Sequence, residues 1–407
     1  MNKLKNLNYK QTEIGEIPED WQVTTLGGTA TLNYGKSLPE MSRSEGGVPV
    51  YGSSGVTGYH SQALVQNEGY IIGRKGTIGT VHYSPEPFYP IDTTYYVTKD
   101  DINCDFKYFY YLLKYLNLNK LNFDSAVPGL NRGVAYRQKY AAPKTISEQQ
   151  QIASILSSLD DKIELNRKMN KTLEEVGKAL FKRWFVDFEF PNDDGKPYKS
   201  SGGEMVDSEL GEIPEGWEVK PLDAIATFLN GVACQKYPPK DEDGLPVIKI
   251  GELHNGITEN SDRASSSIAS EYIIEDGDVL FSWSGCLEIV LWAGGRGVLN
   301  QHLFKVSSES YPKWFYYHWT LRYLPFFREI ASNKVTTMGH IQRSHLTESL
   351  VLVPHQKTLM KMDLVMAALL NNIIANSIGI KSLAQIRDSL LPRLMSGKLR
   401  VKDYENN

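Results

Sequence analysis

Cysteine is scarce. Only Cys104, Cys234 and Cys286 occur in 407 residues, without metal-ligand or redox spacing, so a disulfide framework is excluded and the thiols read as reduced and structural. An excess of cations is missing too. Lys and Arg number 44 against 48 Asp and Glu, a formal net charge of −4 and a pI near 6.1. That argues against a protein that coats nucleic acid indiscriminately, a mode that rests on counterion release by many Lys and Arg. It leaves room for a base reader that places a few cations locally or shares the electrostatic work with a partner. No apolar run reads as long enough to cross a bilayer, and MNKLKNLNYK carries no signal-peptide hydrophobic region. The expectation is a cytoplasmic chain with no membrane contact. Catalytic signatures are lacking as well: no Asn-Pro-Pro-aromatic methyltransferase motif, no carboxylate pair and Lys with nuclease spacing, no Gly-x-Ser-x-Gly elbow. His340 and His345 are too loosely placed for zinc, and Asp187 with Glu189 reads as a solvated helix end. No catalytic residue, metal site or bound cofactor is therefore assigned.

What is present is a length that suggests two domains or more, with 41% hydrophobic and 23% charged residues, ordinary for globular chains. Ala30–Ser37, ATLNYGKS, fits a loose phosphate-loop pattern, but Leu38-Pro39 follows at once and only Gly35 offers backbone freedom. A phosphate cradle needs a helix N-terminus there, so no nucleotide binding is expected. A repeat explains the match better. Gly15–Val23, GEIPEDWQV, recurs as Gly211–Val219, GEIPEGWEV, 196 residues on, and the same shift puts Ala30 on Ala226 and Gly35 on Gly231 while losing the Lys and Ser.

Between the echoes, PVYGSSGVTGYH, GYIIGRKGTIGTVHYS and IDTTYYVTKD read as short strands with Gly-rich turns, and a helix is predicted over about 106–118. The second copy offers LPVIKIGEL, EDGDVLFSWSG and RGVLNQHLFKVS, then an aromatic helix over about 312–324. From Ile146 the period changes, with Thr145-x-x-Glu148 as a capping box. Ile152, Leu156, Leu159, Ile163, Asn166, Asn170, Leu173, Gly177, Leu180 and Trp184 step by fours and threes, a coiled-coil seam. A shift of 210 yields the second seam: Met366, Leu369, Ile373, Asn376, Ile380, Leu383, Arg387, Leu390 and Leu394, with Met362 before them. Pro392 is expected to bend or end that helix near Leu391.

These features resemble the DNA-specificity subunit of type I restriction-modification systems. The matching stretches are the two GEIPEGWEV-like segments, GRKGTIG at 73–79, DVLFSWSG with LNQH, and the terminal LLPRLMSGKLRV. The resemblance implies an α+β chain: two β-rich target-recognition domains related by an internal repeat and separated by two long helices in an antiparallel coiled coil. The expected divisions are 11–145, first recognition domain; 146–190, first helix; 191–207, linker; 208–354, second domain; and 355–397, second helix. It also implies a non-catalytic chain bound to double-stranded DNA, each half reading one part of a bipartite target. The helices would space the halves and dock two modification subunits that use S-adenosylmethionine, with ATP- and Mg-dependent restriction subunits joining them. In an antiparallel pair, Asn166 and Asn376 are expected to meet.

The contact candidates follow from chemistry: Arg and Lys suit guanine, Asn and Gln adenine, Ser and Thr either. In the first domain they are Ser53, Ser54, Tyr59, Arg74, Lys75 and Thr77; in the second, Lys249, Asn300, Gln301 and His302, with Trp283 read as core. Asn131-Arg132 and Gln342-Arg343 stand at matched places, 211 residues apart, before the long helices. An Arg kept in both copies suits phosphate positioning; a domain-to-helix salt bridge is the equal alternative. A scaffold that binds protein and no DNA is the rival reading of the whole chain.

Overall fold

The structure is a computed structural model that describes residues 8–121, 129–239, 244–332 and 339–401. It divides into two units, 1–161 with 383–407, and 162–382. Each long helix therefore contributes a stretch to both.

In the first unit a hairpin, Tyr9–Thr12 with Gly15–Pro18, leads into Trp21–Thr25, which pairs with Lys139–Pro143. The main sheet is antiparallel, in the order Asn33–Tyr34, Thr94–Val97, Gly69–Gly73, Val81–Ser84. A smaller sheet centres on Val48–Gly52, antiparallel to Gly55–His60 and parallel to Tyr89–Pro90. The second unit repeats this plan. Its hairpin is Met205–Ser208 with Gly211–Pro214, Glu218–Pro221 pairs with Leu350–Val353, and the main sheet runs Thr227–Asn230, Leu303–Ser307, Val279–Ser282, Glu288–Leu291. Its smaller sheet has four strands where the first copy has three. The inner strands Gly69–Gly73 and Val279–Ser282 are buried at every residue. That is why GYIIG and VLFS read as apolar runs and not as alternations.

Several boundaries differ from the sequence expectation. The hairpins begin at Tyr9 and Met205, ahead of the expected domain starts at 11 and 208, so the end of the expected linker is a strand. The first short helix, Phe106–Leu116, ends where Asn117 turns left-handed at φ 50°. The aromatic helix runs Lys313–Ser332, straight through Pro325. Trp314, Phe315, Trp319, Leu324, Phe327 and Ala331 are all buried in one core, and packing along that face outweighs the hydrogen bond the proline removes. Likewise Pro392 does not end the second long helix, Gln356–Met395. The chain leaves it at Gly397, whose φ of +73° suits a glycine stop.

ATLNYGKS contains the edge strand Asn33–Tyr34, and no helix starts at Lys36. The Gly35 N–H donates to Thr94 O, and a Cβ there would collide with the Ile91 carbonyl; Gly231 is packed the same way against Asn300 and Leu299. The shared glycine is a close backbone crossing.

The first long helix is Ile146–Phe185. Thr145 Oγ1 accepts from the Glu148 N–H at 3.4 Å, while the Glu148 carboxylate accepts from the Trp21 indole at 3.3 Å. Its expected seam is the buried stripe: Ile152, Leu156, Ile163, Asn166, Asn170, Gly177 and Trp184 are buried, with Leu159, Leu173 and Leu180 half-buried. In the first unit Ile152 and Leu156 share a core with Leu394 and Met395, and Arg387 pairs with Asp160 at 2.6 Å. In the second unit Asn170 donates to Ile373 O at 3.2 Å and to Ser377 Oγ at 2.9 Å. Numbers rise on one helix as they fall on the other, so the pairing is antiparallel.

The expected Asn pair is displaced by one turn. Asn376 donates to Asn170 at 3.0 Å, not to Asn166. The 210-residue shift that puts Asn376 on Asn166 puts Ile380 on Asn170, so the mirror of this contact would face Asn166 with an isoleucine. Asn166 is 4% exposed, and its Oδ1 has no partner among the described residues.

The second long helix is apolar enough, by length and composition, to cross a membrane, where the sequence reading saw no such run. Its apolar residues serve two faces. Met362, Met366, Leu370 and Ile373 are buried in the second unit, while Leu364, Val365 and Ile386 are exposed.

His318 illustrates the packing in the second unit. It stacks on Phe181 at 5.2 Å, against Gly177, whose missing side chain leaves the room, and is 7% exposed. Burial, with the Lys178 charge adding to it, pushes its pKa down to about 4 from 6.5. The neutral ring is therefore kept in the fold, while the unfolded chain takes up a proton below about pH 6.5. The fold loses up to about 3 kcal/mol between pH 6.5 and 4, at about 1.4 kcal/mol per unit, and nothing from this group above. Urea midpoints across that range should fall less steeply for His318→Phe than for the unchanged chain; equal slopes would refute the assignment.

Candidate nucleic-acid interface

The first unit brings three separated segments to one edge of its main sheet. Arg74, in the turn after the inner strand, accepts at its carbonyl from the Leu130 N–H at 2.8 Å, and Lys75 forms a bridge with Gly129. The turn is thereby tied to the start of the short helix Arg132–Tyr136. Tyr34, the last residue of the edge strand, lies between two guanidinium groups. Arg74 is 4.9 Å from its ring centre and Arg132 is 4.6 Å. Tyr34 is 45% exposed. Arg74 also donates to Asp92 O at 2.9 Å and Arg132 to Leu32 O at 3.3 Å.

The remaining first-copy candidates divide by role. Ser53 and Ser54 form the tip of the hairpin Val48–His60; Ser53 Oγ donates to Lys75 O at 2.5 Å, which fixes that tip beside the Arg74 turn. Ser54, Lys75 and Thr77 are exposed, as is Tyr59 at 59%. Asn131 caps the short helix, its side-chain oxygen accepting from the Val134 N–H at 3.2 Å, and the residue stays exposed.

The second unit builds the same node from different side chains. Trp283 stands where Arg74 stands, its carbonyl accepting from the Ile341 N–H at 3.1 Å, with a Ser284–His340 bridge beside it. Asn230 ends the edge strand where Tyr34 does, opposite Phe304 as Tyr34 is opposite Tyr95. The Trp283 indole N–H donates to Asn230 Oδ1 at 2.9 Å. Its ring sits between His302 at 6.0 Å, Phe304 at 5.9 Å and His340 at 6.3 Å. Trp283 is half-buried and packs against the core of the second unit, in keeping with its reading as core, while its indole edge reaches this node.

His302 Nδ1 lies 3.1 Å from Ser284 Oγ, and Gln301 Nε2 is 3.4 Å from the other His302 nitrogen. Asn300 faces inward. It is 4% exposed and its Oδ1 accepts from the His302 N–H at 3.3 Å, so it builds the turn and is not displayed. Lys249 precedes the helix Ile250–Asn255 and pairs with Asp262 at 2.9 Å, away from the Trp283 node in the hydrogen-bond network. Gln342 and Arg343 are exposed.

The Arg kept in both copies has one shared task. Arg343 donates to Phe228 O at 3.2 Å, and Phe228 is Leu32 shifted by 196. Arg132 and Arg343 thus tie the short helix to the equivalent carbonyl in each copy, a contact that neither alternative, phosphate positioning or a salt bridge to the long helix, anticipated. Sequence reasoning missed Tyr34 and Asn230. The signal was available, since each directly precedes the shared glycine, Gly35 or Gly231.

Three thiols are free: Cys104, pushed up to about 12 chiefly by burial, the buried Cys234, and the exposed Cys286. Among the described residues no group of His, Cys, Asp and Glu could hold a metal ion.

Comparison with known proteins places the geometry. Residues 18–175 and 214–387 match the model of the type I restriction modification DNA specificity domain, one match per copy of the repeat. The chain is 28% identical over 433 residues to the type I restriction enzyme MjaIX specificity subunit of Methanocaldococcus jannaschii, covering 97% of both chains. It is 24% identical over 313 residues to the HindI specificity subunit of Haemophilus influenzae, covering 62% of this chain and 67% of that one. The crystal structure of a type I restriction-modification S subunit from M. genitalium shares the fold, with a TM-score of 0.57 at 15% identity over 97% of this chain and 98% of that one.

Proposed function

Because the chain belongs to the type I restriction-modification DNA specificity family, we propose that each β-rich unit reads one half of a bipartite double-stranded DNA target. The observation that carries this reading is the node described above. One backbone frame, held by Arg132 or Arg343 and by Gly35 or Gly231, presents different exposed side chains in the two copies. A shared frame with divergent display is what reading two different sequences requires, because base edges are told apart by donor and acceptor pattern.

The chain contributes no catalytic group in this proposal and binds no cofactor. Methyl transfer with S-adenosylmethionine belongs to two modification subunits, and ATP- and Mg-dependent cleavage to restriction subunits. The long helices space the halves and dock the modification subunits. Besides its buried seam the first helix exposes Ile155, Leu165, Met169 and Val176, and the second exposes Leu364, Val365 and Ile386. Such outward apolar positions suit a protein partner. A net charge of −4 leaves little for non-specific DNA attraction, so modification subunits supply much of the phosphate contact.

The test is DNA binding by the chain alone and with its modification subunits, over roughly 50 to 200 mM salt. The assembled complex should select defined sequences, with a steeper salt dependence than the chain alone. A complex that binds without discriminating sequence would favour the protein-binding scaffold.

A further inference from the structure

We infer that Asn230 is a base-reading residue of the second half and that Trp283 is the positioning residue that makes it read guanine. The inference rests on the DNA-reading function proposed above and assigns it a chemistry.

The two copies differ in side-chain chemistry at two equivalent positions of the node, 34 against 230 and 74 against 283. Residues 34 and 230 end equivalent edge strands, in register with Tyr95 and Phe304. Residues 74 and 283 begin equivalent turns, each carbonyl accepting from the residue before the Asn-Arg or Gln-Arg pair. Around them the frame is constant. The guanidinium bonds to Leu32 O and Phe228 O match, and the following glycines are pressed on backbone in both copies. Within that frame the first copy displays Tyr34 between Arg74 and Arg132, and the second displays Asn230 held by Trp283.

The hydrogen bond from Trp283 sets the direction of the Asn230 amide. An indole N–H only donates, so the end it holds must be the oxygen. The NH2 end is left to face outward, on a residue that is exposed. A free asparagine reads adenine by donating to N7 and accepting from the N6 amino group. The oxygen keeps a second lone pair, but the indole bond aims it at Trp283, so it cannot lie beside the NH2 along a base edge as the adenine pattern needs. What remains is a pair of donors, and guanine is the purine whose major-groove edge offers two acceptors, N7 and O6. The Trp283 ring cannot swing away freely because His302, Phe304 and His340 pack about it.

The experiment uses the full chain assembled with its modification subunits. Methylated sites on a random-sequence plasmid library are mapped by sequencing for the unchanged complex, Asn230→Asp and Trp283→Phe. Asn230→Asp keeps an acceptor for the indole but removes both donors. It should lower methylation about five- to hundredfold at sites with the guanine and leave the other half of the target unaltered. Trp283→Phe frees the amide to turn, so adenine should become accepted at the same position; a merely structural tryptophan would lower activity without changing the base preferred.

A measurement without mutation accompanies these. In the unchanged complex, 7-deazaguanine at that one position should weaken binding, and in Asn230→Asp the same replacement should have no further effect. Unaltered target preference in Asn230→Asp, or equal sensitivity of both proteins to 7-deazaguanine, overturns the inference while DNA reading stands. If the unchanged complex selects no sequence, the failure lies in the proposed function itself, and the inference falls with it.

Discussion

Replacing Arg400 by Met should destabilise the first unit by about 3–5 kcal/mol, the range for removing one partner of a buried ion pair. Arg400 is 5% exposed and Glu148 is 2% exposed. Its Nε and Nη2 lie 3.0 and 2.9 Å from Glu148 Oε1, and the same guanidinium makes two parallel bonds of 2.9 Å to Asp20. The Trp21 ring, 5.7 Å from the guanidinium carbon, closes one side. Without the cation the Glu148 carboxylate would stay buried and lose its two bonds to the guanidinium, which costs free energy. Asp20 contributes little, because its side chain is 49% exposed and solvent screens it. The test is a cycle of Arg400→Met, Glu148→Gln and the double change, read by urea denaturation. The double change should recover much of the loss. A loss in Arg400→Met below about 1 kcal/mol, the size of a surface pair, would show that the buried charge is not held by this contact. The same group ties the segment after the second helix to Asp20, just past the hairpin Tyr9–Pro18, whose Tyr9 donates to Gly397 O at 3.2 Å.

Exchange of residues 20–142 for the matching segment of a relative should change one half of the recognised target completely and leave the other intact. The expectation follows from cores that do not mix: the first sheet packs with Ile152, Leu156, Leu394 and Met395, and the second with Phe181, Trp184, Met362 and Met366. The junctions fall beside demanding contacts. A graft must supply an acid and a tryptophan where Asp20 and Trp21 meet Arg400 and Glu148, and a backbone N–H where Asp105 donates to Gln149 Oε1 at 2.9 Å. Methylome sequencing of the hybrid complex provides the readout. Changes distributed over both halves would show that the units do not read independently.

Periodicity and repetition decided much of this protein before any coordinate. The seam from Ile152 to Trp184 is legible because a helix face must repeat every three or four residues to stay buried, and the buried stripe follows it position by position. The nine-residue echo at Gly15 and Gly211 announced two copies of one plan, since equal backbone turns need equal glycines and prolines. Register along the helix pair was not legible. A seam offers an inward residue at every turn and does not say which one meets which, so only three-dimensional packing could choose Asn170 for Asn376 and leave Asn166 against Gly379. Nor could the sequence separate display from scaffold among the candidates. Asn300 is the same residue type as a base reader, yet it is buried at 4% exposure and its side-chain oxygen accepts from the His302 N–H of its own turn. Tyr34 and Asn230 became visible only when strand pairing and the turns at Arg74 and Trp283 brought residues far apart in the chain to one edge. Such a constellation leaves no local pattern, because it is set by tertiary contacts and not by neighbours in sequence.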